Sequence, residues 1–214
     1  MIDSKGRLEI PLYHGTSSFF LDSIRENGLG GYRDPQLFNK KVLVSLVNAL
    51  KKPENYYELW DLYSFVVEKM LKQEVTAGGF NFRYGNTYLS PSKLTASKYA
   101  KNNDLGSEFL STINRAYKAL KSVNPIEAEE IISSSSYLQA VLKGSHKPVL
   151  IEITNADTNK LRTEQGKHIH AQLDKMNSIN NEQPSCIIDI FWQQYNFELE
   201  GVIDWSLLDI VYLD

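Results

Sequence analysis

The chain has 214 residues, long enough for one substantial hydrophobic core, and its 42% hydrophobic and 23% charged residues exclude disordered and fibrous architectures. A net charge of −3 and an isoelectric point near 5.9 exclude a strongly basic nucleic-acid binder of the usual kind, while a local basic patch stays open. No apolar run approaches the ~18 residues a membrane span requires, and Met1 to Arg7 lacks the apolar core of a secretion signal, so a cytoplasmic protein without a membrane partner is expected.

The first organised segment is Leu8 to Tyr13, which alternates like a strand and delivers His14-Gly15-Thr16 to its end. Ser17 or Ser18 is a suitable N-cap for a short helix in which Phe20 and Ile24 share a face, and Gly28 closes it. A histidine at such a corner is held rigidly yet faces solvent, where binding groups tend to sit. Residues from about 36 to 73 have helical periodicity. Leu43, Leu46, Val47 and Leu50 form one stripe, and Trp60, Tyr63, Val67 and Met70 form another after Pro53. Gly78-Gly79 breaks that pattern, and the stretch from Phe80 to Leu89 reads as a strand or a turn into one. Pro91 and Ser92 then start a helix through Ala96 and Tyr99.

Phe109, Ile113, Ala116 and Leu120 mark a further amphipathic helix, and the serines from 133 to 136 mark a break before a short helix at Tyr137 to Leu142. The last third is rich in short β-like runs: Val149 to Thr154, Ile187 to Gln193, Phe197 to Ile203 and Ile210 to Leu213. Helices early and strands late predict an α+β fold rather than alternating βαβ units. We expect a single domain over 1–214 with a helical insert at about 35–73. The lone Cys186 lies in one of the β-like runs and is expected to be a buried, inert thiol. His168 and His170 have no third ligand at metal-binding spacing, so no metal is expected.

Three places bear polar or aromatic groups suited to one cleft. They are Tyr13-His14-Gly15-Thr16, the Gly85-x-x-Tyr88-Leu89-Ser90 corner with Ala96 and Tyr99, and Glu198-Leu199-Glu200 before Val202-Ile203. Taken in order, they resemble the ADP-ribosyltransferase superfamily, in the His-Tyr-Glu branch that includes diphtheria-type toxins and the poly(ADP-ribose) polymerases. The resemblance implies a split, mostly antiparallel β core that clasps NAD as co-substrate. It implies that Tyr88 and Tyr99, eleven residues apart, sandwich the nicotinamide ring, and that Thr95 or Ser97 meets its amide. Gly15, with Thr16 beside it, would bond the carboxamide, and His14 would hold a ribose hydroxyl.

Breaking the bond between nicotinamide and ribose builds positive charge on the sugar, which a fixed carboxylate stabilises. Glu198 and Glu200 share a strand face. Glu200 is favoured, because Val202 then takes the next apolar slot on that face; Gly201 directly after it departs from the family pattern and keeps Glu198 open. The segment with Trp192, Gln194, Tyr195 and Asn196 would meet a macromolecular acceptor, protein or nucleic acid.

The implied activity is mono-ADP-ribosyl transfer by a compact toxin, effector or phage-defence enzyme, with an antitoxin or immunity protein as a possible partner. An NAD glycohydrolase and a non-catalytic NAD-binding module are the alternatives. A 2′-phosphotransferase is disfavoured, because Arg25 and Arg33 are the only arginines close behind the histidine motif.

Overall fold

Aliphatic and β-branched runs supply the strands of this chain, and serine, asparagine and glycine mark where many of its helices begin or end. The computed structural model describes residues 1–31, 36–58, 60–74, 82–103 and 105–214. In chain order these form β1 (Leu12–Ser17), α1 (Leu21–Asn27), α2 (Gln36–Leu50), α3 (Trp60–Leu71), β2 (Thr87–Leu89), α4 (Lys93–Asn102), α5 (Glu108–Val123), α6 (Pro125–Ser133) and α7 (Ser136–Lys143). There follow β3 (Pro148–Ile153), β4 (Leu161–Thr163), α8 (His170–Glu182), α9 (Ile188–Trp192), β5 (Phe197–Leu199) and β6 (Leu208–Tyr212). The α+β class expected from the sequence is observed.

The chain forms two compact units. Met1–Tyr32, Asn86–Gly106 and His146–Asp214 make the first, and Arg33–Gly85 with Ser107–Ser145 make the second. The helical part thus draws on α5 to α7 as well as on the predicted insert. In it Leu43, Leu46, Val47 and Leu50 of α2 are buried, as are Phe109, Ile113, Ala116 and Leu120 of α5. Tyr84 stacks on Phe109 with ring centroids 4.0 Å apart. Ser107, Asn124 and Ser135 cap α5, α6 and α7 through their side-chain oxygens.

The first unit contains both sheets. One has the order β1-β3-β6 and the other β2-β5-β4, and every pairing is antiparallel. Among the described residues they meet at one bridge, where Tyr13 N–H donates to the Ser90 carbonyl at 2.7 Å and Ser90 N–H donates back at 2.8 Å. Leu12, Val149, Ile151 and Ile153 of the first sheet share a buried cluster with Leu89, Phe197, Leu199 and Leu161 of the second and with Leu173 and Met176 of α8. On the opposite face of the first sheet, Tyr13 and Leu150 pack with Ala96 of α4.

Gly15 lies on that α4-facing side. A Cβ there would sit 2.2 Å from the Ala96 carbonyl oxygen and 3.0 Å from the Ala100 amide nitrogen. Because both obstacles are helix backbone, only glycine lets β1 and α4 approach this closely.

Four sequence expectations change. The strand carrying His14 starts at Leu12 rather than Leu8, so His14 and Gly15 lie inside it. Leu8 leaves the sheet to donate its amide to Ala156, while Thr16 and Ser17 continue the ladder against Val149 and Pro148. The segment from Ile187 to Gln193 is helical, not extended. Its apolar residues misled because they are β-branched or aromatic, yet Ile188 and Trp192, four apart, are partly covered while Ile190 and Phe191 are exposed, the spacing of a helix. Cys186, in the 3-10 turn just before it, is exposed rather than buried. The strand expected over 197–203 stops at Leu199. Gly201 then takes a φ of +102°, and Ile203 pairs with Leu29 instead. Arg33, Pro35, Gly78-Gly79 and Phe80-Asn81 lie outside the described residues.

Gly15→Ala is therefore expected to destabilise the fold by about 1–3 kcal/mol through overpacking against α4. Thermal melts read this directly, and an alanine variant melting with the wild type would contradict the close approach.

Candidate functional site

Period-two alternation gives the second sheet two unlike faces. Leu89, Phe197, Leu199, Leu161 and Thr163 are buried. The other face carries Tyr88, Glu198 and Arg162, and the register sets them directly opposite one another across the three strands. An aromatic ring, a carboxylate and a guanidinium thus form one row.

The backbone decides how tightly the row is drawn. The Tyr88 carbonyl accepts from His14 Nδ1 at 2.9 Å, so it points at β1 and not at β5. Tyr88 and Glu198 are then a non-hydrogen-bonded antiparallel pair, the kind with Cα atoms only about 4.5 Å apart and side chains closest. Toward β4, the ladder continues past the strand end, with Glu200 N–H donating to the Lys160 carbonyl at 2.7 Å.

The two glutamates have different surroundings. Glu198 is half-buried, and its Oε1 accepts from Asn86 Nδ2 at 2.8 Å. Glu200 lies one step beyond β5 with its side chain 53% exposed, and its Oε2 pairs with Arg162 Nη2 at 2.9 Å. Arg162 Nη1 in turn donates to the carbonyl oxygens of Leu161 and Asn159, at 2.8 and 3.3 Å. Arg162 is thereby directed along β4 toward Glu200. A catalytic Glu200 with Val202 in the next apolar slot requires the strand to run on to Val202, but β5 ends at Leu199 and Val202 is 39% exposed.

His14 sits on the core-facing side of β1 with Leu12 and Thr16, and Thr16 is itself buried opposite Val149. A carbonyl oxygen only accepts, so the bond to Tyr88 puts the imidazole proton on Nδ1 and leaves Nε2 as an acceptor. Burial pushes the imidazole below its ordinary value of 6.5, and the bond to the Tyr88 carbonyl opposes this only in part. His14 is neutral near pH 7 and can accept a hydrogen bond from a hydroxyl at Nε2. Gly15 is turned the other way. Tyr13 uses its amide and carbonyl on Ser90, and the two-residue repeat aims the Gly15 amide and carbonyl at that same strand edge, one step past the bridge.

Thr95 and Tyr99 are four residues apart on α4 and share a helix face, both half-buried. The N-terminus of that helix is doubly secured. Ser92 Oγ accepts from the Thr95 amide and donates to Asp189 Oδ2 at 3.0 Å. Burial, with the carboxylates of Glu152 and Asp189 nearby, pushes the Tyr13 hydroxyl above its ordinary range.

The predicted acceptor segment is only partly available. Trp192 and Tyr195 pack against the core cluster. The Asn196 side chain donates to Glu164, and its carbonyl accepts from Gln172. Gln194 is exposed. Two residues of the site went unnoticed in the sequence, Arg162 and Asn86. Arg162 lies on a three-residue strand too short to show periodicity, whereas Asn86 sits inside the Gly85-x-x-Tyr88 motif and was open to notice.

Among the described residues, no group of three or more His, Cys, Asp or Glu side chains is arranged to hold a metal ion, and no helix is long and apolar enough to cross a membrane. No family model, curated protein or solved structure matches the chain.

The lowered His14 value carries a sign. As pH falls through 6.5 the unfolded chain takes up a proton that the folded histidine refuses, so stability declines from there toward the folded value. Melting temperatures of wild type and His14→Gln between pH 7.5 and 5 should diverge in slope, the wild type losing more. Parallel curves would contradict a desolvated, neutral His14.

Proposed function

We propose that this protein is a mono-ADP-ribosyltransferase that uses NAD, with Glu198 as its catalytic carboxylate. The observation that carries this reading is the pairing of Tyr88 with Glu198 in register, with His14 bonded to the backbone of the same tyrosine. A ring-stacking group, a carboxylate and a neutral imidazole acceptor are the three functions that the reaction asks of the protein. The split of the β core into β1-β3-β6 and β2-β5-β4 is what an ADP-ribosyltransferase-like fold would have, and it supports the same reading.

In the proposed reaction, the bond from nicotinamide nitrogen to the ribose anomeric carbon breaks and its electron pair leaves with the ring. Positive charge grows on the sugar. The carboxylate of Glu198, accepting from the ribose 2′-hydroxyl, stabilises that charge as it develops. Tyr88, with Tyr99 on α4, would flank the flat nicotinamide ring, an offset stack worth roughly 0.5–1.5 kcal/mol beyond burial. The amide and carbonyl of Gly15 would meet the carboxamide, with Thr95 beside it, and His14 Nε2 would accept a hydrogen bond from a hydroxyl of the adenosine ribose. The acceptor's nucleophile then bonds to the anomeric carbon and releases its proton to solvent.

Glu198 replaces Glu200 in this account because it stands in the row with Tyr88, whereas Glu200 is engaged by Arg162. Hydrolysis is the second reading. It is favoured by the packing of Trp192 and Tyr195 into the core and the engagement of Asn196, which reduce the surface for a macromolecular acceptor.

The test uses NAD labelled in the adenosine half, with cell extract as acceptor source. Glu198→Gln should lower nicotinamide release by roughly 10²- to 10³-fold, as expected when one pre-organised charge contact is lost. Glu200→Gln should cost only a few-fold. The reverse ranking would overturn the assignment. Label on macromolecules supports transfer, and free ADP-ribose alone supports hydrolysis.

A further inference from the structure

We infer that Asn86 is a positioning residue for Glu198, fixing one carboxylate oxygen so that the other faces the substrate hydroxyl. This rests on the reading of Glu198 given above. The glutamate stem has several rotatable bonds, and a half-exposed carboxylate on a sheet face samples several rotamers unless something holds it. Asn86 Nδ2 reaches Glu198 Oε1 at 2.8 Å, a charge-assisted bond from a neutral donor. Asn86 lies in the bend directly before β2, two residues ahead of Tyr88, and from there its amide reaches the carboxylate of Glu198. The donor therefore approaches from the Gly85 end of the row. Gly85, at φ +99°, makes the turn that brings Asn86 there.

A neutral amide suits this task better than a cation. A guanidinium at the same place would neutralise the carboxylate that the developing sugar charge needs, and the one guanidinium across the strand, Arg162, is directed to Glu200 and two carbonyls instead. The amide orients the carboxylate without discharging it. Asn86 is exposed, so replacing it leaves the core intact.

The experiment combines steady-state NAD turnover with NMR of the folded protein. Asn86→Ala should lower kcat by roughly 10- to 100-fold, the scale on which outer supports of a functional group act, with KM for NAD changed less than about twofold. Asn86→Asp, which sets a second carboxylate against Glu198, should be worse, and Asn86→Gln, which keeps the donor on a longer stem, should recover part of the loss. In the second arm, Glu198→Gln should shift the Asn86 side-chain amide resonances of the wild type. Wild-type kcat in Asn86→Ala, a rise in KM alone, or unmoved Asn86 resonances would each overturn the positioning role. Wild-type protein that releases no nicotinamide overturns the catalytic reading and with it the catalytic purpose of Asn86, while the NMR arm still decides whether Asn86 holds Glu198.

Discussion

Two backbone hydrogen bonds between Tyr13 and Ser90 organise the first unit. They are the one backbone bridge described between its two sheets, and they fix which residues of β1 face which residues of β2. Because Ser90 is turned toward β1, so is the carbonyl of Tyr88 two residues earlier, and His14 finds its partner there. Because that carbonyl is spent on β1, Tyr88 and Glu198 fall into the close, non-hydrogen-bonded register. Because Tyr13 spends its own amide and carbonyl on Ser90, Gly15 aims its pair at the same edge. The proposed cleft follows from one bridge and the two-residue repeat of a strand.

Beside the bridge, α4 packs directly on β1, where Tyr13 meets Ala96. Gly15 permits contact with Ala96 and Ala100, whose small side chains complete the fit. The same glycine thus has a packing reason to be where it is, independent of any ligand, and in the proposed function it has a second use for its backbone. These roles are compatible, since the packing concerns the missing side chain and the proposed binding concerns the strand edge.

Much of this arrangement was legible in the sequence where local rules suffice. Ser92 caps the helix expected to start there, Ser135 within the serine tract caps the short helix expected after it, and the stripes of α2 and α5 are buried as their spacing predicted. The strand through Val149 and the strand at Ile210 form as their composition implied. What was not legible depends on pairing between distant segments. Nothing local to Leu161-Arg162-Thr163 reveals that Arg162 will stand across from Glu198, because a three-residue strand owes its existence to its partner. The choice between Glu198 and Glu200 turned on where β5 ends, and that is set by Gly201 and the Leu29 to Ile203 bridge rather than by the alternation of apolar residues. Ile187 to Trp192 shows the opposite failure: β-like composition gave way to a helix tied at Asp189 to the cap of α4.

The central claim is that the edge of β1, the face of α4 and the Tyr88-Glu198 row enclose one NAD site. The most direct measurement is a backbone and side-chain NMR titration of the Glu198→Gln protein with NAD, since impaired turnover should leave the bound state long enough to observe. The account predicts saturable shifts concentrated at Gly15, Tyr88, Thr95 and Tyr99. Shifts absent at millimolar NAD, or confined to residues away from this row, would contradict it.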